Sequence, residues 1–104
     1  MDNFSGVKVR IYSVANKAYA VSEEYEDGRL EDSEAYFIED LTDSQYIELV
    51  NTGNTDADKS DMDIQSIKNN GTDIALCVIS DEGVEFQSCV MGTKSSITKY
   101  AVLD

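Results

Sequence analysis

Carboxylates are the side chains best able to do chemistry in this sequence, and they are concentrated in its middle. Of the 21 acidic residues in a chain of 104, fifteen lie between Glu23 and Asp63, where only Arg29 and Lys59 are basic. This segment has a net charge of -13, which equals the formal charge of the whole chain. Like charges packed this densely cost stability by mutual repulsion. The concentration therefore indicates that the electric field has a use, against the alternative that the acids only hydrate the surface.

One use of alternating carboxylates is to bind a hard cation. The stretch from Asp56 to Asp63 offers oxygen ligands at alternate positions, as calcium loops do, because Ca²⁺ takes oxygen ligands. The EF-hand loop also requires Gly at its sixth position and Glu at its twelfth. This sequence has Asp61 and Ile67 there. We interpret the stretch as a polar loop that leads into a helix, and we predict neither a metal nor another cofactor.

The composition also disfavours catalysis. The chain has no histidine, which excludes Ser-His-Asp and Cys-His machinery and imidazole ligands for metals. A carboxylate pair that works as acid and base needs a cleft that separates the two pKa values, and so small a domain has little room for one. Cys77 and Cys89, the only cysteines, lack a CxxC spacing and are predicted to be structural thiols of a reduced protein. The sequence predicts a protein that is not an enzyme.

The charge limits the partners as well. A nucleic-acid binder must meet phosphates with Lys and Arg, and an anionic membrane attracts the same residues. We therefore expect neither direct contact with nucleic acid nor contact with a membrane. No basic and apolar leader is visible at the N-terminus, and the apolar stretches are short. These features predict a cytoplasmic protein, located in the host cytosol if a phage encodes it.

Local patterns place the acids on particular elements. Alternating β-branched residues predict a strand over Val7 to Val14, and Tyr19 to Tyr25 is predicted to return beside it. A two-residue loop at Asn16-Lys17 would set Arg10 opposite Glu23 and Tyr12 opposite Val21. Residues 26–29 form the next turn, and residues 35–41 fit either a strand or a helix.

The second half mixes helices and strands. Thr42 and Gln45 form a capping box, which predicts a helix over residues 43–51 that Gly53 ends. A second short helix is predicted after Ser60, ending at Gly71. Residues 73–80 are the strongest strand, 84–91 their hairpin partner and 97–103 a last strand. The chain is therefore predicted to be one α+β domain over residues 1–104, a mainly antiparallel sheet of about five or six strands with one or two short helices.

A line of carboxylates on strands and at a helix start can imitate a nucleic-acid backbone, because same-face residues of a strand recur about every 6.6 Å. In general character the chain resembles phage-encoded inhibitors that act as DNA mimics, which implies an anti-defence role such as anti-CRISPR activity. The predicted partner is a basic nucleic-acid-handling protein, such as a nuclease or a host-defence effector. Alternatives are an immunity protein that neutralises a cognate nuclease toxin, and an assembly protein whose acids only solvate it. The predicted contact residues are ten carboxylates, with Tyr25 and Tyr36 as apolar anchors; the acids are Glu23, Glu24, Glu26, Asp27, Glu31, Asp32, Glu34, Glu39, Asp40 and Asp43.

Overall fold

The computed structural model describes residues 3–80, 83–86 and 93–103. Within these residues one antiparallel sheet has the strand order β3-β2-β1-β4-β5, so β1 lies at its centre. The predicted α+β class is therefore confirmed. In chain order the elements are β1 (Gly6–Val14), β2 (Lys17–Glu26), β3 (Arg29–Phe37), a short 3-10 helix (Ile38–Asp40), α1 (Asp43–Thr52), α2 (Ile64–Asn70), β4 (Thr72–Ser80), β5 (Gly83–Phe86) and α3 (Lys94–Leu103).

The β1–β2 hairpin has a different register from the one predicted. Val14 pairs with Lys17, so the loop is Ala15-Asn16, and both loop residues have positive φ, 51° and 66°. Lys8, rather than Arg10, is then opposite Glu23. A shift of two residues leaves each side chain on its own face of the sheet, so the hydrophobic alternation does not distinguish the two registers. The turn decides, and a turn with two positive φ values matches the twist of a hairpin.

Helices cover both faces of the sheet. On one face α1 and α3 pack on the inward side chains of β1, and Val9, Leu49 and Ile97 belong to one buried cluster. On the opposite face Ile67 of α2 packs with Val21 of β2 in a smaller cluster. We call these the α1/α3 face and the α2 face. Successive strand residues point to opposite faces, so neighbouring acids of β2 enter different surroundings.

The helix starts follow side-chain caps. The predicted capping box of α1 is confirmed, since Gln45 N–H donates to Thr42 Oγ1 at 3.0 Å and Thr42 N–H donates to Gln45 Oε1 at 2.9 Å. Gly53 ends α1 with φ 82°, as predicted. The predicted second helix also exists, and Gly71 ends it. It begins later than Ser60, because Asp63 accepts from the N–H of Gln65 at 3.1 Å.

The predicted last strand is wrong, because residues 94–103 form α3. The sheet therefore has fewer strands than the upper end of the prediction, and the described residues hold three α-helices rather than one or two. The β-branched residues of the α3 segment favour a strand locally. Ile97 and Ala101, one helical turn apart, are buried together on the sheet, and Ser96 N–H donates to Thr93 Oγ1 at the start. The burial of Ile97 and Ala101 on one face of the helix outweighs the local preference of the segment for a strand.

The strand predicted over residues 73–80 is confirmed as β4, an interior strand that pairs with β1 and β5. The hairpin turn predicted after this strand spans residues 81–83, and the structure places Gly83 in β5. Residues 81 and 82 of that turn, and residues 87–91 of the predicted partner strand, lie outside the described residues. Cys77 is buried and disulfide-bonded, so its prediction as a reduced thiol is wrong. Cys89 lies outside the described residues. Across the described part of the chain, the helices are too short and too polar to cross a bilayer.

Candidate acidic interface

The structure separates the twelve predicted contact residues by burial. Glu23 and Tyr36 are buried, and Tyr25 and Glu34 are half-buried. The other eight are exposed, and they lie on β2, β3, the turn between these strands, the 3-10 helix and the start of α1; they are Glu24, Glu26, Asp27, Glu31, Asp32, Glu39, Asp40 and Asp43. Most of the predicted acids are thus available to a partner, and the two buried residues need a different account.

Glu23 points to the α2 face and forms an internal charge network. Its residue exposure is 3%, Arg10 Nε lies 3.8 Å from its Oε1, and Lys68 of α2 donates to its Oε2. Tyr25 donates its hydroxyl to Glu23 Oε1 at 3.3 Å. The hydrogen bond to Glu23 raises the pKa of the Lys68 ammonium above its ordinary value. The prediction that Glu23 contacts a partner is wrong, because two cations from other elements enclose its carboxylate.

Tyr36 is also unsuited to the predicted role of anchor. Its side chain is fully buried on the α1/α3 face, and its hydroxyl donates to Glu34 Oε1 at 3.0 Å. Burial, and then the hydrogen bond to Glu34, raise the pKa of Tyr36 to about 12. Its prediction as a contact residue is wrong, since the ring belongs to the core. Its hydroxyl instead holds the Glu34 carboxylate in place.

Tyr25 is half-buried at the end of the α2 face. Its ring meets the ring of Phe4 edge-on at 6.0 Å, and Lys8 Nζ lies 5.1 Å from the Tyr25 centroid. Burial is the main cause that raises the pKa of its hydroxyl. Tyr25 therefore packs beside a cation, on the opposite face from Glu24.

A groove of about 260 Å³ lies on the α1/α3 face, and we call it the acidic groove. Three carboxylates line it: Glu24 of β2, and Asp32 and Glu34 of β3. Across the two strands Glu24 pairs with Asp32, and Ser22 pairs with Glu34. The C-terminal end of α1 (residues 52–54) forms the opposite wall, and Val7 also lines the groove. This end of the sheet lies beyond α1, which ends at Thr52 with Gly53 as its C-cap.

Gly53 explains how closely the helix end approaches the sheet. A Cβ at this position would lie 2.4 Å from Val7 Cγ1, and φ is 82°. Ser22 Oγ donates to the Gly53 carbonyl at 2.6 Å. The last turn of α1 has no basic residue, so the partial negative charge of its carbonyl end is added to that of the groove carboxylates. Sequence reasoning missed this wall, although the predicted helix stop at Gly53 was the signal for it.

A second group of acids lies near the start of α1. Asp40, Asp56 and Asp58 line a shallow cavity with Gln45, whose Nε2 donates to Asp56 Oδ1 at 3.1 Å. Asp63, the last acid of the loop, is used as the cap of α2. Hydrogen bonds from the Ser66 hydroxyl and then from backbone N–H groups lower its pKa. The described part of the chain contains no cluster of three or more potential ligands that could hold a metal ion.

The two basic residues of the acidic segment neutralise little of it. Arg29 Nε lies 3.8 Å from Glu31 Oε2, and Lys59 Nζ lies 3.7 Å from Glu34 Oε1. Both cations are more than half exposed, and exposed pairs of this kind contribute about 0–1 kcal/mol. By contrast, Arg10 and Lys68 are drawn inward by Glu23. The outward carboxylates of β2 and β3 therefore keep most of their field.

The edge of the sheet at β3 is partly closed. Ser60 N–H donates to the Ala35 carbonyl at 2.7 Å, so the loop after α1 covers the edge there. Ser33 N–H donates to Oδ1 of the preceding residue, Asp32, at 2.9 Å. The acids of β3 thus protect the edge as well as charge it.

Comparison of the chain with protein-family models, with curated proteins and with solved structures gives no match.

Proposed function

We propose that the chain is a small acidic binding protein that inhibits a basic, nucleic-acid-handling protein by occupying the site where that protein binds nucleic acid. One observation carries the proposal: two cations are paired on one face of the sheet, and exposed carboxylates without an ion pair lie on the other. Glu23 draws Arg10 and Lys68 to the α2 face, whereas Glu24 and Asp32 stand on the α1/α3 face and form no ion pair among the described residues. A surface of this kind attracts a basic partner over a distance and speeds its encounter.

Mimicry of nucleic acid requires carboxylates that are spaced like a charged backbone and held in place. Glu24 and Asp32 are cross-strand partners, and Glu34 is the next same-face acid along β3. Glu34 is positioned by the Tyr36 hydroxyl. Same-face residues on a strand are about 6.6 Å apart, so Asp32 and Glu34 set two negative charges at a regular spacing along β3, and Glu24 lies beside Asp32 on the neighbouring strand. The Glu24–Asp32–Glu34 set is the best-supported part of the proposed interface.

The proposed location is the cytoplasm, where such partners work on nucleic acid. The disulfide of Cys77 weighs against this part of the proposal, because cytoplasmic thiols are normally kept reduced. Thiol labelling of protein isolated under acid quench tests it. Unlabelled cysteines in protein from intact cells would contradict a reducing compartment.

The test of function is affinity capture with the purified chain as bait, using lysate of the cells in which it is made. Excess duplex DNA is the competitor, and a triple variant Glu24→Gln, Glu26→Gln, Asp27→Asn is the matched bait. We expect the wild-type bait to retain a nucleic-acid-binding protein that DNA displaces and the variant retains poorly. A purified partner should then lose its nucleic acid when the chain is added.

Two outcomes count against the proposal. If DNA does not displace the partner, the chain binds away from the nucleic-acid groove, as an immunity protein can, and mimicry is wrong. If nothing basic is retained even at low salt, the acids serve to solvate the surface and the inhibitor function is wrong.

A further inference from the structure

We infer that the acidic groove is the anchoring point of the interface and that it receives one arginine-bearing segment of the partner. This inference rests on the proposed function, because it supposes a basic protein partner. It goes further in naming the place on this chain and the side-chain chemistry that fits it.

The first argument is that the groove is an uncovered part of an otherwise covered sheet face. Val9 and Ile11 of β1 lie under α1 and α3, whereas Val7, two residues earlier on the same face, lines the groove and is only half-buried. The volume of about 260 Å³ suits a single long side chain. Val7 offers apolar contact to the methylene stem of such a side chain, as arginine requires.

The second argument is charge complementarity from two independent sources. The carboxylates of Glu24, Asp32 and Glu34 come from the sheet, and the carbonyl end of α1 comes from the opposite wall. A helix C-terminus carries about half a negative charge and accepts hydrogen bonds at its last carbonyls. A guanidinium has five donors in a planar fork, so it can bond carboxylates and carbonyls together.

The third argument separates a guanidinium from a metal ion. The groove acids do not form a cluster that could hold a metal ion, since the described residues contain none. Glu34 is restrained by the Tyr36 hydroxyl at 3.0 Å and by Lys59 at 3.7 Å. A carboxylate restrained in this way, beside two others with which it forms no metal-binding cluster, fits a delocalised cation better than a small hard ion, which needs ligands at about 2.0–2.6 Å.

The test uses an octa-arginine peptide as probe and the isotopically labelled chain, followed by NMR titration at two salt concentrations. We expect saturable shifts of the amides of residues 22–24, 32–34 and 52–54, ahead of those around Asp40 and Asp58. Octa-lysine should bind more weakly and shift these amides less, because an ammonium cannot bridge both walls.

Two sets of variants make the test specific. Glu24→Gln, Asp32→Asn, Glu34→Gln removes three charges from the groove, and Glu39→Gln, Asp40→Asn, Glu48→Gln removes three exposed charges elsewhere. We expect the groove triple to weaken octa-arginine binding about tenfold and the control triple about two- to threefold, since each exposed pair contributes little alone. Asn54→Trp fills the groove without changing the charge and should weaken binding as the groove triple does.

The outcomes distinguish this inference from the proposed function. If both triples weaken binding equally and Asn54→Trp has no effect, the charged surface binds without an anchor and the groove inference is wrong while the proposed function stands. If the peptide binds but the cellular partner of the wild-type chain is retained fully by the groove triple, the anchor is likewise overturned. If neither peptide nor partner binds, the proposed function itself fails.

Discussion

The charge network around Glu23 makes a quantitative prediction about stability. Glu23→Gln keeps the shape of the side chain but removes the negative charge that Lys68 and Arg10 contact. Removing one partner of a fully buried pair costs about 3–5 kcal/mol. Here the Lys68 and Arg10 side chains are still 33% and 31% exposed, so water can solvate them when the carboxylate is lost. We therefore expect a loss of about 2 kcal/mol in the free energy of unfolding.

The complementary change should cost more. Lys68→Met leaves the Glu23 carboxylate, whose side chain is only 4% exposed, with Arg10 as its remaining cation. An unpaired buried charge is the more expensive defect, so we expect a loss of about 3 kcal/mol. The double variant leaves no unpaired carboxylate, so it should cost about as much as Glu23→Gln alone, about 2 kcal/mol, which gives a coupling energy of about 3 kcal/mol in a double-mutant cycle.

Urea unfolding followed by circular dichroism measures these values. With a slope of about 1–1.5 kcal/mol/M for a chain of this size, a loss of 2 kcal/mol lowers the midpoint by about 1.3–2 M. Glu24→Gln is the matched control on the same strand. Glu24 is exposed, and its replacement should change stability by less than about 0.5 kcal/mol. Equal shifts for Glu23→Gln and Glu24→Gln, or a coupling energy of zero, would refute the assignment of Glu23 to an internal network.

Four further predictions concern the whole chain. Added sodium chloride should raise the urea midpoint, because it screens repulsion among the exposed acids; a flat response would contradict a dense acidic surface. Thr42→Ala should lower the free energy of unfolding by about 1 kcal/mol through loss of the α1 cap, measured against Thr72→Ala as an exposed control. The pKa of Tyr36 is raised to about 12, so the folded state binds the hydroxyl proton more tightly than the unfolded state does. The contribution of Tyr36 to stability should therefore be full below about pH 10 and fall towards pH 12. Ionisation of Tyr36 near pH 10 without unfolding, seen as a change in tyrosine absorbance, would contradict this. Reductant should lower the unfolding midpoint by removing the Cys77 disulfide, a loss of about 2–4 kcal/mol, and Cys77→Ala should abolish that sensitivity.

Local signals in the sequence were sufficient for the elements whose limits are set by neighbouring residues. The capping box at Thr42 and the left-handed stop at Gly53 fix α1 within about ten residues, so both ends of the helix could be predicted. The turn at Asp27-Gly28 is equally local, with φ values of 51° and 81°. These features depend on backbone geometry that one or two residue types favour.

The predictions that failed depend on contacts between distant residues. The α3 segment has the sequence pattern of a strand, but it forms a helix because Ile97 and Ala101 are then buried together against the sheet. Glu23 looks like its neighbour Glu24 until Lys68, 45 residues away, packs over it. A run of acids in sequence does not show which side chains are buried, because the elements that pack on each face of the strand decide this.

For the candidate interface, the sequence indicated the strands that carry the charge but not the groove between them. Glu24, Asp32 and Glu34 were all predicted as contacts, and the structure places them around one cavity. The opposite wall comes from the end of α1, and nothing in the acidic pattern refers to it. A groove formed by a sheet and a helix end requires the helix length and its direction together.

The partly closed edge of β3 bears on how this protein behaves at high concentration. An edge strand with free amides is a template on which another copy can add a strand, and repeated addition produces fibres. Here the Ser33 amide is occupied by the Asp32 side chain, and the Ala35 carbonyl is occupied by Ser60. A second copy would also bring its own Asp32 and Glu31 against the first. We therefore expect the residues that charge the surface also to disfavour strand addition at β3, and their replacement with neutral side chains to lower the solubility of the protein as well as its field.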